Sequence, residues 1–219
     1  MTRRRTAPPQ PPPPVDLDAA VEAGLDAIDH ALSGIRRLPE RFAGARPVLD
    51  LLLATEGRVV VTGLGKSGLV GAKLAATLSS TGTSAIFVHA ADALHGDAGA
   101  VRPGDTVIAI SNSGETDEVC RFVELVKERG VPVVTLTGCG GGSSLCRLAD
   151  AHLDIAVERE ADPYDLVPSV STAVTAVMGD ALAIALMVAR GFGPDDFHRH
   201  HPGGALGRRL LNAGGGRGE

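Results

Sequence analysis

Lys66 sits inside a run of glycines. The segment 62–68 reads TGLGKSG and directly follows the apolar run RVVV. It holds G-x-G-x-x-G at Gly63, Gly65 and Gly68, and it also holds the GKS that closes a nucleotide-binding P-loop. Three ligands compete for such a turn: a dinucleotide, a nucleoside triphosphate, or a smaller phosphate. A triphosphate loop needs glycine at position 60, where Val60 stands. A dinucleotide site needs an acidic residue at the end of the second strand to hold the ribose. That strand runs out in Phe87, Val88 and His89, and the first carboxylate after Glu56 is Asp92, past the strand end. The smaller phosphate is left. Lys66, with Gly65 and Ser67 on either side, would stand near a helix N-terminus, where free amides and the positive end of the helix already favour anions. An exposed lysine that only aids solubility is the plain alternative.

A second loop repeats the logic. The run 107–110 feeds SNSGETDE at 111–118, which sets the hydroxyls of Ser111, Ser113 and Thr116 around Gly114 at a helix start. Hydroxyls and backbone N–H groups suffice to cradle a phosphate without a metal. Ser113 could equally be an ordinary N-cap, but capping does not account for three hydroxyls together. Histidines at His89, His95, His198, His200 and His201 permit a divalent metal, yet their spacing matches no zinc motif and no metal is expected.

Strands and helices must position these loops. Residues 58–62, 84–88, 106–110, 131–136 and 152–157 are short apolar runs that read as strands, and 67–80, 115–129 and 144–149 read as helices between them. Strands apolar almost throughout, alternating with helices, predict an α/β fold: a three-layer sandwich with a mainly parallel five-stranded sheet covered on both faces. Such a sheet carries its binding loops at the carboxyl ends of the strands. Ahead of the first strand, 17–35 shows one apolar stripe at helical spacing (Leu17, Ala20, Val21, Leu25, Ile28, Leu32), and 48–54 predicts a short second helix. After the last strand, 169–190 predicts a long, largely buried helix that Gly191 can end.

Composition narrows the function classes. With 219 residues there is room for one domain, 16–211, between a proline-rich extended tail at 1–15 and a glycine-rich tail at 212–219. Aromatics are 3%, tryptophan is missing and the net charge is -5, so neither stacking platforms nor a general attraction to nucleic acid exists. The basic N-terminus is followed by no apolar segment, which excludes a signal peptide. The most apolar segment, 173–189, is interrupted by Asp180 and is short for a membrane span, so no membrane partner is expected. Cys120, Cys139 and Cys146 show no paired spacing and read as reduced thiols of a cytoplasmic protein. The segment GCGGGSS at 138–144 reads as one mobile loop.

Seven ordered motifs then point to a family. GLGKSG at 63–68, STGT at 80–83, ALHGD at 93–97, SNSGET at 111–116, VERE at 157–160, MGDALA at 178–183 and HPGGALGRRL at 201–210 resemble the sugar isomerase (SIS) domain of arabinose 5-phosphate isomerases. The resemblance spans roughly 17–211 and implies interconversion of D-ribulose 5-phosphate and D-arabinose 5-phosphate. It carries catalytic roles onto Lys66, Glu118, Glu160 and His201, and substrate contacts onto Gly82, Thr83, His89, His95 and the region beginning near Arg121. Typical members are homotetramers with a pair of CBS modules after the SIS domain, which this chain, ending at Glu219, is expected to lack. The proline tail and the CGGG loop depart from the family pattern.

The implied chemistry moves one proton between adjacent carbons and another between their oxygens through an enediol, and it needs no cofactor. Glu160 is the first candidate for the carbon proton and Glu118 the second, with Glu158 competing for the same role. His201 suits proton transfer near neutrality or opening of the sugar ring, in its own pocket or a neighbour's. Lys66 would neutralise charge on the enediolate. Another phosphosugar isomerase of the same fold, or a phosphosugar sensor without turnover, are the alternative functions.

Overall fold

The computed structural model describes residues 16–140 and 142–200. Expectations placed on the two tails, and on His201, lie outside these residues.

Five short strands form the centre: β1 Val59–Gly63, β2 Ala85–His89, β3 Thr106–Ile110, β4 Val133–Thr137 and β5 Ala151–Asp154. They are all parallel and lie in the order β2-β1-β3-β4-β5. β1, β3 and β4 are buried along their whole length, which is why their sequences are apolar without alternation. Each strand still divides its side chains between two cores, because neighbours point to opposite faces. Val59, Val61, Ile108, Ile110, Val134 and Leu136 enter one core. Val60, Val107, Ala109 and Val133 enter the other.

The first core is roofed by α2 (Leu38–Phe42), α3 (Arg46–Leu53), α4 (Gly65–Ser80) and α8 (Val170–Ala189), with α1 (Leu17–Arg36) packed on α8. The second is roofed by α5 (Ala90–Ala93), α6 (Asp117–Glu128) and α7 (Ser144–Leu148). A 3-10 turn at Asp97–Ala100 follows α5, and α9 (Pro194–His200) ends the described chain. The result is the three-layer α/β sandwich read from the sequence, with β3 at its expected bounds and the other strand boundaries moved by up to three residues. The last strand is shorter than expected: it stops at Asp154, whose carboxylate accepts the Ala156 N–H and turns the chain off the sheet.

Length and composition alone would let α8 cross a membrane. Its Val174, Met178, Leu182 and Leu186 are instead fully buried in the first core. Gly191 ends it with a positive φ of 63°, the left-handed turn expected of a helix-stopping glycine.

The apolar stripe of α1 is largely uncovered. Leu17, Val21, Leu25 and Ile28 are 71%, 63%, 57% and 59% exposed. The contact of α1 with α8 runs through Gly34, where a Cβ would stand 2.8 Å from Val174 Cγ2. Close backbone approach at one small residue thus joins the two helices, and the bulky stripe faces away from the chain's own core.

Candidate active site

The strand order reverses between β1 and β3, and ligands of such sheets enter the crevice outside the carboxyl ends of the strands there. Gly63 and Ile110 are paired at that end. The opening motif makes a turn tight enough that Gly63 and Gly68 touch: a Cβ on Gly68 would lie 3.0 Å from the Gly63 oxygen, and one on Gly63 would lie 3.1 Å from the Gly68 nitrogen. Two of the three glycines therefore serve strand-to-helix packing. The third, Gly65, has φ +56° with open space around it, which leaves its backbone accessible. Lys66 and Ser67 follow in the first turn of α4, Lys66 exposed and Ser67 half-buried. With Asn112, Glu160, Ser171 and Thr175 they line a cleft of ≈ 220 Å³.

Glu160 is the buried carboxylate of that cleft, with 9% exposure. The chain from β5 to α8 is built to hold it. Its Oε2 accepts the Ser169 N–H at 2.8 Å, the Ser171 N–H at 3.2 Å and the Ser169 hydroxyl at 3.3 Å, while Oε1 accepts the Ser171 hydroxyl. Ser169 and Ser171 bracket the start of α8, so the carboxylate supplies acceptors that a helix N-terminus otherwise lacks. A carboxylate offers about four acceptor positions. Oε2 is therefore crowded, and Oε1 retains room for a proton. Below it, Asp165 accepts the Glu160 N–H from a positive φ of 58°. Asp162 accepts the N–H groups of Tyr164, Leu166 and Val167 at 3.0, 2.9 and 2.7 Å. These backbone donors, Val167 above all, hold the Asp162 carboxyl below its usual range.

Glu158 points elsewhere. It pairs with Arg37 at the end of α1 and is exposed. Of the two acids in VERE, only Glu160 lines the cleft. Glu118 stands half-buried in the first turn of α6 and is not among the lining residues.

The 111–116 loop is braced from within. Ser111 is 3% exposed; its Oγ receives the Gly114 N–H at 3.1 Å and pairs with Thr116 Oγ1 at 2.8 Å. Ser113 is exposed, and its Oγ accepts the Glu115 N–H. The three hydroxyls are thus not equivalent: two tie the loop together and one faces outward. Gly114 has φ +65°, and a Cβ there would fall 2.2 Å from Ser143 Oγ. Glu115 reaches α7, where Ser144 donors hold its carboxyl below the usual range.

The remaining expected contacts scatter. His89 ends β2 beside Gly63 and stands 3.6 Å from Asp92, and His95 is exposed on the turn after α5. Arg121 is paired with Asp117 on the surface of α6. Gly82 and Thr83 precede β2 at the opposite, amino edge of the sheet, and the strand itself puts roughly 13 Å between that edge and His89. There Thr83 Oγ1 accepts from Arg190, and Gly82 packs on the Phe192 ring. Among the described residues, no group of three or more His, Cys, Asp and Glu side chains is arranged to hold a metal ion.

Four polar lining residues were missed by sequence reasoning: Asn112, Ser171, Thr172 and Thr175. Asn112 lies inside the quoted SNSGET motif, where attention to hydroxyls passed over an amide. Ser171 and Thr175 share one face of α8 four residues apart, a polar pair inside an apolar helix, and that was the available signal.

Comparison with known proteins decides the family. The SIS domain family matches residues 52–185. The chain belongs to the SIS domain family. An arabinose 5-phosphate isomerase KdsD of Pseudomonas aeruginosa is 52% identical over 186 residues, covering 85% of this chain and 55% of that protein. The KdsD of Salmonella typhimurium is 56% identical over 192 residues, covering 87% and 58%. The chain thus spans a little over half the length of these curated relatives. A solved Escherichia coli CFT073 protein, in complex with arabinose 5-phosphate, superposes with a TM-score of 0.81 at 36% identity, covering 86% of this chain and 100% of that one. In this SIS domain the acid, the lysine and the polar face of α8 meet where the two central strands end.

Proposed function

We propose that this SIS domain interconverts D-ribulose 5-phosphate and D-arabinose 5-phosphate through an enediol. The observation that carries the reading is the placement of Lys66 and Glu160 on one cleft at the β1/β3 switch point. The relatives' activities favour this substrate pair over other phosphosugars.

The phosphate sits against the first turn of α4 and the 111–116 loop, where Ser67, Ser113 and the N–H groups of the turns supply donors. Glu160 Oε1 takes the proton from carbon 1 of the ketose and returns one to carbon 2. The crowded Oε2 keeps the carboxylate in place while Oε1 works. Lys66 faces the oxygens on which enediolate charge develops, a role for which removal of one donor costs on the order of 100- to 1000-fold in turnover. His201 moves the oxygen proton or opens the ring. No cofactor enters the scheme, and the protein works in the cytoplasm.

The working unit is a homotetramer with its active sites near subunit interfaces. The uncovered stripe of α1 supports burial against another copy, since contiguous apolar patches of this kind mark association surfaces. Gly82 and Thr83, at the far edge of the sheet, then meet a phosphosugar in a neighbouring subunit rather than in their own. The test is turnover of ribulose 5-phosphate against hexulose and heptulose phosphates. Selective formation of arabinose 5-phosphate supports the reading. Binding without conversion would replace it with a sensor, and faster conversion of a longer ketose would move the substrate class.

A further inference from the structure

Cys139, just after β4, and Cys146, in α7, play no part in the chemistry above, yet they meet at one point. Thr137, the last residue of β4, has its Oγ1 3.1 Å from Cys139 Sγ and 3.1 Å from Cys146 Sγ. One hydroxyl thus bridges the two sulfurs. His152 Nδ1 lies 3.7 Å from Cys146 Sγ on the adjacent strand β5. Both cysteines are half-buried, and the loop between them exposes Gly140 and Gly142. The pair also abuts the second binding loop. A Cβ on Gly114 would meet Ser143 Oγ, Ser143 Cβ and then Cys139 Sγ at 3.0 Å, and the Leu145 N–H bonds the Gly114 oxygen at 3.0 Å.

From this geometry we infer that Cys139 and Cys146 form a dithiol oxidation site, closed to a disulfide by hydrogen peroxide, whose state is felt by the 111–116 loop. The Cys139 thiolate attacks one peroxide oxygen, the O–O bond breaks, and hydroxide leaves with Cys139 as a sulfenic acid. The Cys146 sulfur then attacks the Cys139 sulfur, the S–O bond breaks, and water leaves with the thiol proton, for which His152 Nδ1 is the nearest base. Two thiols and one peroxide give one disulfide and two waters; the two sulfurs lose two electrons to the O–O bond.

The surroundings assign the order of attack. Burial acts to raise the Cys139 thiol, but hydrogen bonds from Ser143, Thr137 and Cys146 outweigh it and hold the group below the usual thiol range. Burial lowers His152, which keeps its imidazole neutral and able to accept a proton. Cys120, in α6, is pushed up by burial and serves as the unreactive internal control. An S–S bond of about 2.05 Å requires one or both sulfurs to move, and the Cys139 sulfur is part of the wall over Gly114.

The test treats the full chain with hydrogen peroxide and reads the intact mass, then hydrogen exchange of residues 111–116, with no sugar present. The expected result is loss of two hydrogens, reversed by a dithiol reductant, with mapping to a Cys139–Cys146 bridge and altered exchange of the 111–116 amides. Cys146→Ser should stop at a sulfenic acid on Cys139 that dimedone traps, and Cys139→Ser should stay unmodified at the same dose. An unchanged mass, or a bridge that includes Cys120, would overturn the site. A bridge with unchanged exchange would overturn its link to the loop. The activity effect rests on the isomerase reading: the oxidised protein should lose about tenfold in kcat/KM, chiefly through KM, as expected when a positioning loop shifts. A reduced protein with no turnover would sink the isomerase reading while leaving the mass and exchange results to judge the dithiol.

Discussion

Replacing Glu160 with glutamine should cost stability as well as turnover. The side chain keeps its shape, so packing is unchanged and the effect isolates charge. In the native protein two backbone N–H groups at the start of α8 and two serine hydroxyls donate to a carboxylate that is 9% exposed. A hydrogen bond to a charged acceptor is worth about 1 kcal/mol more than one to a neutral acceptor, and two backbone donors are affected. Loss of a negative charge at a partly buried helix N-terminus adds about 1 kcal/mol. The sum is about 2–3 kcal/mol. At about 2–4 °C per kcal/mol for a domain of this size, Glu160→Gln should melt roughly 4–12 °C below the wild type. Glu160→Ala should fall further, because the Ser169 and Ser171 amides then lose their acceptor altogether. The assay is thermal denaturation followed by circular dichroism near neutral pH, paired with turnover of ribulose 5-phosphate at a temperature where both proteins are folded. A Glu160→Gln protein that melts within about 1 °C of the wild type would refute the capping role. One that melts lower but keeps full turnover would refute the base.

Three further outcomes follow from the geometry. Gly114→Ala places a methyl 2.2 Å from Ser143 Oγ at a φ of +65°, and it should lose about 2–4 kcal/mol by denaturant unfolding. Gly65→Ala, at φ +56° with open space around it, should lose only about 1 kcal/mol; equal losses would contradict the assigned packing. Asp162 has a folded pKa below its unfolded value, so its contribution to the loop before α8 is complete above about pH 4 and is lost as pH falls through the lowered folded value. The protection of the Tyr164, Leu166 and Val167 amides, taken relative to the intrinsic exchange rate at each pH, should therefore fall in acid, and Asp162→Asn should show that lower protection already at neutral pH. On α1, the double variant Leu25→Asp, Ile28→Asp should remain folded but sediment as a smaller species; an unchanged sedimentation coefficient would remove the stripe from the assembly.

Much of the frame was legible because burial on both faces leaves its mark on composition. Val59–Gly63, Thr106–Ile110 and Val133–Thr137 are central parallel strands and read as mostly apolar runs, and the long α8 ends at a glycine as its sequence suggests. The short helices Leu38–Phe42, Ala90–Ala93 and Pro194–His200 span at most two turns, too little for periodicity to show. The stripe on α1 was visible, but helical spacing reports only that one face wants a partner; it does not say whether the partner lies in the same chain. At the site, Lys66 and Glu160 were identified as candidates, whereas the choice of Glu160 over Glu158 depends on how the chain turns after Asp154. Alternation of side chains holds only inside a strand, and this segment has left one. Asn112, Ser171 and Thr175 were hidden for a different reason: Asn112 stands on the loop after β3 and the other two on α8, and only the crossover from β5 to α8 brings them to the same cleft.

The central claim is that the Lys66 and Glu160 cleft removes a proton from a phosphorylated ketose and returns one to the neighbouring carbon. Incubation with D-ribulose 5-phosphate in deuterated water, followed by proton NMR, tests it most directly. The account predicts arabinose 5-phosphate carrying deuterium at carbon 2, formed on the order of 100-fold more slowly by Lys66→Met. Ribulose 5-phosphate that stays unchanged, or product formed at the wild-type rate by Lys66→Met, would contradict it.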